Sequence, residues 1–151
     1  ERNPAVRLAP LSYTHDPARL ALLPNLVSIN SALEIDLTGQ VNAEALGTNT
    51  LGGVGGQVDF VRGAALSSGG RSIMALGSIT PKGASRIVAQ LSGPVTTARS
   101  DVDLVVTEHG VAELRGRSLR QRVRAMIAIA DPSQRESLER TAHPMLKELD
   151  Q

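Results

Sequence analysis

Tyr13 and Phe60 are the only members of the Phe, Trp and Tyr class among 151 residues, and there is no cysteine. No other feature constrains the fold as much. With no other large rings to pack, the interior has to be built from Leu, Val, Ile and Ala. The missing thiols exclude a disulfide scaffold, a thiolate nucleophile and a cysteine-ligated zinc or iron–sulfur centre. The missing rings remove the stacking platforms on which single-stranded nucleic acid lies. Hydrophobic residues still make up 41% of the chain and charged residues 21%, a balance that suits one folded domain over residues 1–151. No apolar run approaches the roughly 20 residues that span a bilayer. A net charge of +1 supplies no general field for attracting nucleic acid. The opening Glu1-Arg2-Asn3-Pro4 has neither an initiator Met nor an apolar leader, so the numbering is expected to begin inside a longer protein. The absence of cysteine fits the cytoplasm.

Hydrophobic periodicity divides the chain. Tyr13 to Pro17 reads as a turn feeding a short helix, Ala18 to Leu23. Leu26–Asn30 is a short strand. Leu33-Glu34-Ile35-Asp36-Leu37 alternates apolar and acidic residues, which predicts a half-exposed strand, with Thr38-Gly39-Gln40 turning it into a hairpin with Val41-Asn42-Ala43. Gln57–Ala65 has helical spacing, with Val58, Val61 and Ala65 on one face. Ser72–Leu76 and Arg86–Leu91 read as apolar strands. Val102–Thr107, the most β-branched run, reads as a central strand. Ser118–Ala130 is an amphipathic helix with Ser118 as its N-cap, and Pro132 opens a last helix reaching about Ala142. The expected fold class is α/β, a mixed sheet flanked by helices.

Gly47 to Gly56 holds the densest glycine run. Backbone N–H groups that converge before a helix N-terminus suit an anion or a developing oxyanion. The dinucleotide-binding pattern fails, because Val58 stands sixth from Gly53, and no Gly-Lys-Ser/Thr follows. A flexible turn without a ligand is equally compatible with the spacing. Glu34 and Asp36 share a strand face and have the chemistry of an acid/base pair, although solvated edge-strand acids are the commoner explanation. Glu108 follows the apolar run at a place where ligands often meet a sheet, although a loop or helix-capping acid is equally compatible, and His109 stands beside it as a candidate polar site residue, although a lone loop histidine is more often merely solvated. His15, His109 and His143 have no metal-binding spacing, so no metal site is expected. Arg115, Arg117, Arg120, Arg122 and Arg124 form a basic run, which suits a phosphate or a solvated helix face better than nucleic acid.

Three stretches, taken in order, resemble one family: Ser28 to Asn42, Gly53-Val54-Gly55-Gly56-Gln57-Val58-Asp59-Phe60, and Val106 to Gly116. They are similar to the C-terminal domain of the acetyl-CoA hydrolase/acyl-CoA transferase family, which includes enzymes of the 4-hydroxybutyrate CoA-transferase type. The resemblance implies a CoA-transferase-like α/β fold in which two similar domains meet at the active site. It implies that coenzyme A is a substrate and that CoA moves between carboxylic acids, or to water, through a glutamyl-CoA intermediate. The nucleophilic glutamate is expected upstream of this chain, so no catalytic residue is assigned within it. Gly53, Gly55 and Gly56 match the glycine loop of the acyl pocket, Asn30 matches an asparagine near the reacting centre, and Gln57 and Asp59 belong to the same signature. The implied partners are acyl-CoA, small carboxylates, the N-terminal domain of the same enzyme and, for a homodimer, a second copy. A non-catalytic acyl-CoA-binding or regulatory module is the alternative.

Overall fold

The computed structural model describes residues 3–148. In chain order the elements are α1 (Leu11–Thr14), α2 (Pro17–Ala21), β1 (Val27–Asn30), β2 (Glu34–Asp36), β3 (Val41–Asn42), β4 (Ala45–Leu46) and β5 (Asn49–Thr50). They continue with α3 (Gln57–Leu66), β6 (Arg71–Ala75), β7 (Ile87–Val88), β8 (Leu104–Thr107), β9 (Gly110–Glu113), α4 (Leu119–Ala128) and α5 (Pro132–Glu148).

Local chemistry explains the starts of α2 and α4. Asp16 accepts a hydrogen bond from Ala18 N at 2.9 Å with Pro17 in the first turn, so α2 begins one residue before the expected Ala18. Ser118 and Gln121 exchange side-chain-to-backbone bonds in a full capping box at the head of α4. The helix α5 runs past the expected Ala142 to Glu148, through Pro144. Its apolar stripe continues: Leu138 and Ala142 are buried, and Met145 and Leu146 pack against the same core. On α3 the buried residues are Val61, Gly63 and Ala64, while the expected Ala65 is exposed. Leu20 of α2 lies against Gly63, where a Cβ would come within 2.5 Å of it.

The larger sheet has the order β1-β6-β8-β9. Strands β1, β6 and β8 are parallel, and β9 returns antiparallel to β8 through a tight turn at Glu108-His109. The run read as a central strand is therefore interior, paired on both sides. A second sheet, β3-β2-β7, contains the expected β2–β3 hairpin; β7 is reduced to Ile87–Val88 because the flanking residues leave the ladder. The pair β4-β5 forms a small third sheet.

Register assigns the faces of the larger sheet. Met74, Val105 and Ala112 align across it and belong to the common core, with Val61 of α3, Val123 and Met126 of α4, and Ile35, Val41 and Ile87 of the second sheet. That core is aliphatic apart from its methionines, as the composition requires. Ile29, Ile73 and Leu104 align on the opposite face, as do Ala75, Val106 and Val111.

Glu34 and Asp36 are not solvated edge acids. They are 5% and 3% exposed, and β2 is buried along its whole length between β3 and β7. Asp36 accepts from Thr38 N (2.9 Å), Thr38 Oγ1 (2.7 Å), Gln40 N (3.0 Å) and Gln40 Nε2 (2.7 Å). Glu34 Oε1 accepts from Asn42 Nδ2 (2.9 Å), Ser92 N (2.6 Å) and Ser92 Oγ (3.0 Å). Burial of a carboxylate is tolerable when donors replace its water, and here the hairpin and the 92 loop supply them.

Candidate functional site

Four residues, 67–70, link the end of α3 to the start of β6, and α3 packs along both β1 and β6. The helix therefore runs antiparallel to these strands, and its N-terminus lies at their carboxyl ends. In open parallel sheets that edge is where ligands bind. Asn30 closes β1 at this edge, the glycine loop opens α3 there, and Ser78 and Glu108 follow β6 and β8.

The loop is anchored at its base. Leu51 N and Gly52 N both donate to the Glu44 carbonyl, at 2.7 and 3.1 Å. Beyond that anchor, the N–H groups of Gly53, Val54, Gly55 and Gly56 make no hydrogen bond among the described residues. Residues 51–55 are exposed. Gly55 adopts φ +58°, a left-handed conformation that glycine enters without strain. A Cβ on Gly53 would meet nothing within 4 Å, so the space in front of this amide is open. Unpaired donors at the start of a ten-residue helix form an electropositive surface suited to negative charge.

His15 is a neighbour that sequence reasoning missed. Its ring lies edge-on to Phe60, with centroids 5.0 Å apart, and against Gly56, where a Cβ would fall 2.3 Å from Nε2. No spacing rule joins residues so far apart in the chain; the bare Gly56 was the only hint that something comes close. Gln57 donates from Nε2 to Thr97 Oγ1 at 2.9 Å. That bond fastens the helix start to the 96–97 segment, which Val41 holds by backbone bonds, so Gln57 positions the loop. Asn30 donates from Nδ2 to Ser28 Oγ at 2.8 Å, which leaves its carbonyl oxygen available as an acceptor. Asp59 lies in the first turn of α3, where its charge complements the helix dipole.

Glu108 ties two strand ends together. Its carboxylate accepts from Ser78 N at 2.8 Å and Ser78 Oγ at 2.6 Å. The Ser78 hydroxyl, followed by backbone donors, holds the Glu108 carboxyl below its ordinary range. His109 Nε2 stands 3.7 Å from Glu108 Oε1 and 3.6 Å from Asp131 Oδ2. Bonds from Ser133 lower the Asp131 carboxyl in the same way. Among the described residues no cluster of three His, Asp or Glu side chains is arranged to hold a metal ion.

The arginine run does not form one surface. Arg115 pairs with buried Asp103 at 3.2 Å, Arg117 with Glu113 at 3.7 Å, and Arg120 donates to the Leu146 carbonyl at 2.9 Å. Arg122 is turned inward and donates to the Arg99 carbonyl at 2.6 Å; burial, and then the nearby Arg99 charge, lowers its pKa. These side chains fasten α4 and the preceding turn to the rest of the fold. Among the described residues no helix is long and apolar enough to cross a membrane.

Comparison with known proteins bears on this edge. The family model described as acetyl-CoA hydrolase/transferase C-terminal domain matches residues 1–142. The chain is 50% identical over 139 residues to 4-hydroxybutyrate coenzyme A transferase of Clostridium kluyveri, covering 90% of this chain and 32% of that protein. It is 46% identical over 151 residues to the succinyl-CoA:acetate/propanoyl-CoA:succinate CoA transferase of Fasciola hepatica, covering 97% and 32%. The crystal structure of RipA from Yersinia pestis superimposes with a TM-score of 0.90 at 44% identity, covering 96% of this chain and 33% of that one. The chain thus spans about a third of the length of the relatives it matches. Sequence and architecture agree with the three stretches that suggested the kinship, and the chain belongs to the acetyl-CoA hydrolase/transferase C-terminal domain family.

Proposed function

We propose that the glycine loop is the oxyanion wall of an enzyme that moves CoA between carboxylic acids, or to water, with the attacking glutamate supplied by a region outside this chain. The observation that carries this reading is the set of unpaired amides from Gly53 to Gly56, exposed as far as Gly55, at the carboxyl edge of the parallel strands.

The chemistry explains the need for such donors. A glutamate carboxylate attacks the acyl-CoA carbonyl; the C–S bond breaks, CoA thiolate leaves, and an acyl-glutamyl anhydride forms. The thiolate then attacks the glutamyl carbonyl and expels the acyl group as its carboxylate, leaving a glutamyl-CoA thioester. An incoming carboxylate reverses the two steps with a new acyl group, whereas water releases CoA and restores the glutamate. Every attack places negative charge on a carbonyl oxygen, and fixed amides stabilise that charge without reorganising. Neutral donors suit the purpose because they add no charge beside the glutamate. Gln57 fastens the loop, Asn30 stands at the same strand edge, and small carboxylates and acyl-CoA are the substrates. The remaining two-thirds of a full-length relative stands as the partner domain, and the cytoplasm is the compartment that suits a chain without cysteine.

The test places this chain in the Clostridium kluyveri enzyme in place of its matched third. The chain alone should show no thioester turnover, and the chimera should show it. Gly53→Val in the chimera fills open space, and turnover should fall about a hundredfold, the usual effect of disabling one oxyanion donor. An unchanged kcat overturns the role of the loop. Turnover by the chain alone overturns the external nucleophile. Tight CoA binding by the chain alone, with an inactive chimera, would favour a non-catalytic binding module.

A further inference from the structure

The larger sheet has two unlike faces. On one, Met74, Val105 and Ala112 are buried in the common core. On the other, among the described residues, Val27, Ile29, Ile73, Leu104, Val106 and Val111 neither belong to that core nor pack against it. Ile29 is 68% exposed, Val111 58% and Val27 53%, while the three between them are only half-buried. The helices and the second sheet contribute to the core on the buried face.

Three of the four strands are parallel, and parallel sheets occur with both faces covered by helices. Register also places Arg71 opposite Val27 and Glu113 opposite Leu104 on this face, each in an ion pair, with Asp103 and Arg117 respectively; an apolar centre with paired charges at its margin is a docking surface rather than a surface at rest. The strand β1 adds a second open feature. Among the described residues it is the last strand of its sheet and pairs with β6 alone, and its sequence Val-Ser-Ile-Asn carries no charge, Pro or bulge to discourage further pairing.

We propose that this open face, with the free edge of β1, is the seat of a helical layer supplied by the two-thirds of a full-length relative that this chain does not match. The occupant is a set of amphipathic helices whose Leu, Ile, Val and Ala stripe lies across Ile29, Ile73 and Val106. Two arguments favour it over a second copy. A helical layer gives the parallel strands the two-sided cover they require, and the relatives carry twice as much chain again outside the matched third. The inference rests on the proposed function only in taking this layer to belong to the same enzyme. It makes no use of the glycine loop.

Because the chain has no cysteine, single thiols can report each face. Val106→Cys marks the open face and Ala112→Cys the buried one. In the chain alone, maleimide should modify Val106→Cys readily and Ala112→Cys slowly. In the Clostridium kluyveri chimera, labelling at Val106→Cys, read by mass spectrometry of its peptide, should slow at least about tenfold. Undiminished labelling in the chimera overturns the proposal. So does concentration-dependent protection in the chain alone with a dimer mass, which would make a second copy the occupant. A protected thiol in an inactive chimera keeps this inference and sinks the oxyanion reading; an active chimera with an open thiol does the reverse. A second measurement does not depend on the chimera: Ile29→Thr with Val106→Thr should leave the melting temperature of the chain unchanged and at least halve its binding of a hydrophobic dye. A lowered melting temperature would show that the face is already covered and overturn the proposal.

Discussion

Residues 34–42 and residues 53–56 both lie in stretches that carry the family resemblance, yet the fold uses them in opposite ways. In the β2–β3 hairpin both acids are partnered: Asp36 accepts four hydrogen bonds, Glu34 accepts three through Oε1, and both are buried. In the glycine loop the amides from Gly53 to Gly56 have no partner among the described residues, and residues 51–55 face solvent. Acidic residues look like catalysts in a sequence, and glycines look like spacers. Here the acids are scaffold and the glycines offer the unused donors. A fully satisfied group contributes stability but has little capacity left for a ligand, whereas an unsatisfied one at the surface keeps that capacity.

The comparison can be broken most sharply at Asp36. Asp36→Ala should destabilise the chain by about 3 kcal/mol or more, because it strands several buried donors; urea unfolding measures the loss, and a change below about 1 kcal/mol would show that the hairpin is not scaffold. Gly39→Ala comes next. The residue adopts φ +93°, and a Cβ there would come 2.7 Å from Leu114 Cδ1, so a cost of about 1–3 kcal/mol is expected in the same experiment. Gln57→Ala removes one bond to Thr97 and should cost about 1 kcal/mol. In the chimera it should also lower turnover, since the loop loses its fastening. Gly53→Val, by contrast, meets nothing within 4 Å; thermal melting should move least of all while turnover collapses, the reverse of Asp36→Ala.

The smallest effect concerns pH. The Glu108 carboxyl is held below its ordinary value by Ser78. A depressed carboxyl stabilises the fold above its unfolded pKa, near 4.3, and that contribution is lost as pH falls through the lower folded value. Acid unfolding should therefore begin earlier on the pH scale for wild type than its neutral-pH stability suggests. Ser78→Ala should flatten this part of the profile, and an identical acid limb in both proteins would refute the linkage. Glu108 is half-exposed, so the change is small.

Features of the fold with a local cause are legible in the sequence. The N-cap at Ser118, the turn at Thr38-Gly39-Gln40 and the β-branched run before Glu108 each depend on residues a few positions apart. The return strand β9 escaped notice because Gly110-Val111-Ala112-Glu113 has a weak alternation and gains its identity from pairing with β8. The strand expected over Arg86–Leu91 shrank to two residues for the converse reason: apolar residues were present, but a ladder partner was available only beside Ile35 and Asp36. At the candidate site, the glycine run and Gln57 were visible as sequence. The approach of His15 to Gly56 was not, because it is made by two segments with no periodic relation.

The sequence by itself determined an aliphatic core, an α/β pattern, the helix caps and the family, since composition, short-range geometry and motif order suffice for these. Tertiary structure decided which polar groups are spent and which are free: it buried Glu34 and Asp36, distributed the arginines among separate partners and, among the described residues, left one face of the larger sheet without a cover. The physical reason is that burial and hydrogen-bond satisfaction are properties of neighbours in space, and period-two alternation in a strand states only that its two faces differ, not which of them meets water.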